Sequence, residues 1–156
     1  MTRTSTNLYR AIIDGSSNSD PDSREEPAVD GVLYPRLEAE THLDRNGREW
    51  TRRADMTVFA MGEETIVDCD GGTVLFDQTG WYGFIGWRYF DLPEGTVIPD
   101  SLVVERSRRV QVSRDGRRQG RRYVIVPRGR MSLPAYRAAL DNLARNAVVR
   151  KTELAR

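Results

Sequence analysis

One stretch of this 156-residue chain sustains a helical period, and it lies at the C-terminus. Beyond Ser132, the residues Tyr136, Leu140, Leu143, Ala147 and Leu154 recur at helical spacing with arginines between them, which predicts an amphipathic helix. Ser132 is placed to cap it, Pro134 fits its first turn, and Arg150 and Lys151 suit the negative end of its dipole. A parallel sheet needs crossover helices between successive strands. The rest of the chain offers short strand-like segments separated by turns. The expected class is therefore α+β, not a parallel βαβ fold.

Asn7 to Asp14 has strand composition and runs into a turn signal, Asp14-Gly15-Ser16-Ser17. Residues 15–31 are rich in Ser, Asp and Pro with almost nothing to bury, and read as a mobile loop. In residues 32–70, Leu33, Leu37, Thr41 and Arg45 share one helical face, which predicts short helices. Asp70-Gly71-Gly72 then forms a turn that feeds a strand, Thr73 to Phe76, and Gln78-Thr79-Gly80 turns again. The aromatic run from Trp81 to Phe90 is strand-like, with bends expected at Gly83 and Gly86. Leu102 to Ser113 and Arg121 to Pro127 flank Arg114-Asp115-Gly116 as an antiparallel hairpin with an arginine-loaded connection. This length suits one domain over residues 1–156, able to bury a core without a metal or a disulfide.

Several chemistries fail by count. Cys69 is the single cysteine and His42 the single histidine, so an internal disulfide, a four-cysteine zinc cluster and a multi-histidine metal site are all excluded. No metal is expected. The acidic neighbours Asp68 and Asp70 should raise the Cys69 thiol pKa and disfavour a nucleophile. There is no G-x-S-x-G elbow and no GKS or GKT phosphate loop. No apolar run approaches the roughly 18 residues of a membrane span, and the N-terminus predicts no Sec signal, so folding in a reducing cytoplasm is expected.

Charge is strongly asymmetric. Residues 1–100 hold 19 acids and 9 bases, a balance of −10, whereas residues 101–156 hold 4 acids and 15 bases, a balance of +11. Either the two halves neutralise each other in the fold, or the basic half faces a polyanion such as a nucleic acid. Arg106, Arg108, Arg109, Arg114, Arg117, Arg118, Arg121 and Arg122 support the second reading. Against it, the hairpin has no aromatic residue for base stacking before Tyr123.

Four pieces stand out in order and spacing: Leu8-Tyr9-Arg10-Ala11, Gly71 to Asp77 (GGTVLFD), Glu94 to Val104 (EGTVIPDSLVV), and Tyr123 to Pro127 (YVIVP). With the helical Leu140 to Ala147 (LDNLARNA), they resemble the small type VI secretion effectors of the second Tse-series toxin, over roughly half the chain. That resemblance implies a cytotoxin with an ADP-ribosyltransferase-like fold: a mixed or antiparallel β core with short helices and a C-terminal helix. It implies NAD as co-substrate, a cognate immunity protein, and contact with secretion-apparatus components. Such a toxin would be cytoplasmic in its producer and delivered to the target-cell cytoplasm without a cleaved signal peptide.

The resemblance also implies a site. Cleaving nicotinamide from NAD passes through an oxocarbenium-like state related to that of glycoside hydrolysis. Arg10 matches the early-strand arginine of the Arg-Ser-Glu pattern, where a planar fork holds phosphate or ribose oxygens. Thr73 matches its Ser/Thr step, and Gly71 and Gly72 would let backbone approach the ligand. Tyr9, Phe76, Tyr82 and Tyr123 are candidate stacking surfaces, and Asp77 joins the expected NAD-binding set with Gly72. For the position that a glutamate fills in the family, Glu105 on the predicted strand is the candidate, with Glu94 in a turn and with Asp77 and Gln78 following Thr73 closely. The chain departs from the family pattern at Arg122, where members tend to have His, and at Val74, where they tend to have Ser. Three functions follow for testing: an NAD-dependent toxin, an arginine-rich nucleic-acid-binding protein, and a non-enzymatic toxin that occupies a partner.

Overall fold

The computed structural model of the chain describes residues 1–13, 29–44, 46–84, 86–113 and 115–156. Its strands are β1 (Thr2–Arg3), β2 (Leu8–Ile13), β3 (Glu40–Leu43), β4 (Glu49–Arg52), β5 (Val58–Met61) and β6 (Glu64–Val67). They continue with β7 (Thr73–Phe76), β8 (Trp87–Leu92), β9 (Val97–Ile98), β10 (Leu102–Val112), β11 (Gln119–Pro127) and β12 (Met131–Ser132), before helix α1 (Leu133–Leu154). A five-stranded antiparallel sheet in the order β10-β11-β7-β2-β8 forms the centre. The α+β class is as the sequence predicts.

Strand alternation divides this sheet into two faces. Leu8, Leu75, Leu92, Tyr123 and Ile125 join the main core with Tyr136, Leu140, Leu143 and Ala147 of α1. Each large side chain sealed this way contributes about 1.5–3 kcal/mol. On the opposite face Ala11, Phe76 and Trp81 form a smaller cluster, with Val74, Trp87 and Tyr89 packed against it. Helix α1 begins as expected, its Ser132 side chain accepting a hydrogen bond from the Ala135 N–H at 3.2 Å. Leu154 departs from the expected stripe. It lies at the helix end, 55% exposed, beyond the last buried contact at Ala147.

The short helices expected in residues 32–70 are not there; the segment forms β3 to β6 as two hairpins. Pro35 lies between Leu33 and Leu37 and removes a backbone donor that a helix would need. Turn chemistry settles the rest. The Asp44 carboxylate accepts from the N–H groups of Asn46 and Arg48, closing the β3–β4 turn. Gly62, at φ +63°, occupies the first position of the two-residue β5–β6 connection, where the primed hairpin turn requires positive φ.

The aromatic run is a strand only from Trp87 onward, and the preceding stretch turns back with Gly83 and Gly86 at positive φ. The expected hairpin is present as β10 and β11, with a bulge between Arg106 and Val110. Of the loop expected over residues 15–31, residues 15–28 lie outside the described residues. Gly31 donates to the Asp141 carboxylate of α1 at 2.9 Å. Among the described residues, no helix is long and apolar enough to cross a membrane.

Candidate functional site

The sheet opens where β2 and β7 part. They pair at one position, Tyr9 with Phe76, and beyond it the Arg10 side chain occupies the split. Its guanidinium donates to the Val74 carbonyl at 3.0 Å and to the Tyr34 carbonyl at 3.0 Å. Arg10 is thus 8% exposed yet lines a cavity of about 150 Å³ with Val74, Phe76, Trp81, Gln111 and Arg122. A second lobe of about 420 Å³ adjoins it, sharing Arg36, Arg52, Asp55, Tyr82 and Arg122 and adding Trp50, Arg53 and Trp87. The two lobes make one cleft of the size that small ligands occupy.

Its electrostatics are one-sided. Five arginines (Arg10, Arg36, Arg52, Arg53 and Arg122) line the lobes, against Asp55 as the one acid among the described residues. Asp55 is already engaged, its carboxylate accepting from the Arg36 backbone N–H at 2.7 Å and the Arg36 guanidinium at 2.9 Å. Burial pulls the Arg10 guanidinium down to about 10, opposed by Asp55 and reinforced by Arg36 and Arg52. It remains a cation at neutral pH. Burial also lowers Arg52, with Arg36 adding to the shift. The Arg36 Nε is buried with no hydrogen-bond partner among the described residues. An anion in the cleft would relieve both the crowding of cations and that orphaned donor.

Aromatic rings form the other wall. Phe76 and Trp81 stack at 4.9 Å between centroids, Tyr82 and Trp87 stack at 4.4 Å, and the Tyr82 ring meets Phe76 edge-on at 5.6 Å. The Arg52 guanidinium lies 5.3 Å over the Trp87 ring.

Of the site residues expected from sequence, Arg10 and Phe76 line the cleft. Thr73 starts from the same sheet face as Arg10 but is fully buried, its hydroxyl donating to the Leu33 carbonyl. Arg10 and Thr73 therefore meet on consecutive carbonyls, Tyr34 and Leu33, and together pin that segment. Gly72 faces backbone instead of the cleft: a Cβ there would overlap the Ile125 carbonyl oxygen and lie 2.7 Å from the Tyr136 hydroxyl. Asp77 accepts from the Arg121 N–H at 3.1 Å. Tyr9 is half-buried as the register partner of Phe76, and Tyr123 packs into the main core on the other face. Glu105 pairs with Val124 on β10, exposed and outside the cleft lining.

Sequence reasoning missed Arg36, Arg52, Arg53, Asp55, Trp50 and Trp87. Most come from the segment read as helices, where only tertiary pairing brings them to the split. Arg122 carried the one local signal, as the departure from the expected pattern.

The sequence model of a family described as Tse2 ADP-ribosyltransferase toxin matches residues 6–152. Over 163 aligned residues the chain is also 31% identical to Toxin Tse2 of Pseudomonas aeruginosa strain PAO1, covering 99% of this chain and 95% of that protein.

Proposed function

Because the chain belongs to the Tse2 ADP-ribosyltransferase toxin family, we propose that its arginine-lined cleft binds NAD and that the protein is a cytotoxic effector acting inside target cells. The observation that carries this reading is the charge balance of the cleft, five arginines against an acid already paired with Arg36. A dinucleotide supplies the missing negative charge in its diphosphate and two flat rings for the aromatic wall.

When bound, NAD supplies a glycosidic bond whose cleavage develops positive charge on the ribose. Arg10 and Arg122 both line the smaller lobe, where the exposed Arg122 fork would hold diphosphate oxygens and Arg10, anchored on the Val74 and Tyr34 carbonyls, would add its charge. Phe76 and Tyr82 line the cleft as the aromatic groups that would meet the cationic nicotinamide, each backed by a stacked tryptophan, Trp81 and Trp87. Asp55 is the carboxylate that lines the cleft among the described residues, and its hold on Arg36 sets where that guanidinium sits. Thr73 is a positioning residue: through the Leu33 carbonyl it fixes the segment that anchors Arg10. With NAD held there, the electron pair of that bond would leave with nicotinamide, while the ribose carbon would bond to an acceptor nucleophile that gives up a proton.

Such an activity is lethal to its own cell, so the reading includes a dedicated immunity protein. It also includes delivery by a type VI apparatus from the producer's cytoplasm to that of the target. The test is inducible expression in a bacterium with cellular NAD followed. Growth arrest accompanied by falling NAD is expected, and Arg122→Gln and Phe76→Ala should relieve both at equal protein abundance. Arrest that survives both substitutions with NAD unchanged contradicts the reading and favours a toxin that acts by occupying a partner.

A further inference from the structure

The β10–β11 hairpin carries charge that the fold does not use. β11 pairs with β7 from Arg122 to Ile125, and beyond it the two strands extend past β7 as an arm, tied at its base by the Asp77 N–H donating to the Arg121 carbonyl and the Gln78 amide donating to the Gln119 carbonyl. An 11-residue strand such as β10 spans about 36 Å. Arg108, Arg109, Arg117 and Arg122 are exposed and make no ion pair among the described residues, whereas Arg106, the register partner of Tyr123, stands on the opposite face. Arg121 donates to the Ser107 and Arg108 carbonyls at 3.2 and 3.1 Å, which closes the bulge without cancelling its charge. Among the described residues of the arm, the ion pair is Arg118 with Asp115 at 4.0 Å, while Asp77 and Asp115 accept from the backbone N–H groups of Arg121 and Arg117.

This stripe is continuous with the cleft, because Arg122 and Gln111 line its wall. Aromatic residues stand beside it although the hairpin supplies none there. The turn before β8 brings up Phe84, 62% exposed, with the Arg118 guanidinium 5.8 Å over its ring, and Tyr82, 37% exposed. Partly exposed rings among arginines offer unpaired bases a stacking surface while phosphates meet the guanidinium forks. In a duplex those base faces are covered. The exposed Val110 and Val112 pair with Arg121 and Gln119, residues that share the Tyr123 face, so they lie on the far side from the cleft.

We propose that the β10–β11 arm docks single-stranded nucleic acid and leads the strand to the mouth of the cleft. Docking stands independently of the reading of the cleft as an NAD site.

The test is fluorescence anisotropy with labelled 20-nucleotide single strands of RNA and of DNA, and with a duplex, at 50 and 200 mM salt. Both single strands should bind more tightly than the duplex, and their relative affinities separate an RNA ligand from a DNA one. If about four phosphates are neutralised, affinity should fall about 50-fold between the two salt concentrations. Arg108→Glu, Arg109→Glu and Arg117→Glu combined should weaken binding at least tenfold with an unchanged melting temperature, and the triple alanine variant should fall between. Phe84→Ala should weaken it at both salt concentrations. Absent or salt-insensitive binding, equal binding by the charge-reversed arm, or tighter binding to polyglutamate or phosphatidylglycerol vesicles overturns the proposal. NAD titration of the same preparations separates the two readings. The charge-reversed arm should bind NAD as the parent does. Loss of NAD binding in the parent with strand binding intact removes only the cleft assignment.

Discussion

Tyr136 shows how much of the site depends on single buried groups. Its ring fills the main core and its hydroxyl donates to the Ile125 carbonyl at 2.7 Å, next to the glycine turn and Thr73. Burial pushes this phenol up to about 12, with its hydrogen bonding to Thr73 and the nearby Arg10 cation acting the other way. The unfolded chain ionises Tyr136 near its ordinary value of 10, whereas the folded chain holds the proton to about 12. The stability this group contributes is therefore full below pH 10 and is lost as pH rises towards 12. Arg10 works in the opposite direction: its lowered value makes folding more favourable as pH rises above about 10. Tyr136→Phe isolates the phenol. Denaturation midpoints should show a loss of about 1–3 kcal/mol at pH 8, because the Ile125 carbonyl loses its donor. The difference between variant and parent should shrink between pH 10 and 12; a constant difference would contradict the assignment.

At the scale of elements, the site is made by the glycine turn before β7 and the separation of β2 from β7. The backbone of Gly72 comes so close to β11 that a side chain has no room. Gly72→Ala should cost about 3 kcal/mol or more through overpacking. The same substitution should also release Arg10 from Val74, seen as lower thermal stability and weaker nucleotide binding together. A variant as stable as the parent would show that the approach is loose. Helix α1, the β10–β11 hairpin and the strand at Thr73 were legible in the sequence because each carries its own period and its own cap or turn. The segment from residue 32 to 70 was not. Its strands are four residues long, expose much of their surface, and share sequence with a chance helical spacing that Pro35 interrupts. The legible half of the site was accordingly Arg10 and Phe76. Its cationic wall of Arg36, Arg52 and Arg53 comes from the illegible segment, and Glu105, on a correctly read strand, sits outside the cleft.

At the scale of the molecule, part of the charge asymmetry is cancelled by pairing between the two halves of the chain. Basic residues of the C-terminal part pair with acids of the N-terminal part: Arg145 with Asp30 at 3.6 Å, Arg130 with Asp68 at 3.3 Å, and Lys151 with Asp91 at 3.0 Å. These pairs are solvent-accessible, each contributing about 0–1 kcal/mol. Among the described residues, Arg52, Arg53 and Arg122 of the cleft and Arg108, Arg109 and Arg117 of the arm make no such pair. The central claim is that this surplus at the cleft is a dinucleotide site, and calorimetric titration of NAD into the purified protein tests it most directly. Saturable binding at one site per chain is predicted, weakened at least tenfold by Arg122→Gln, an exposed substitution that leaves the melting temperature unchanged. Absence of binding, or binding that Arg122→Gln leaves intact, would contradict the account.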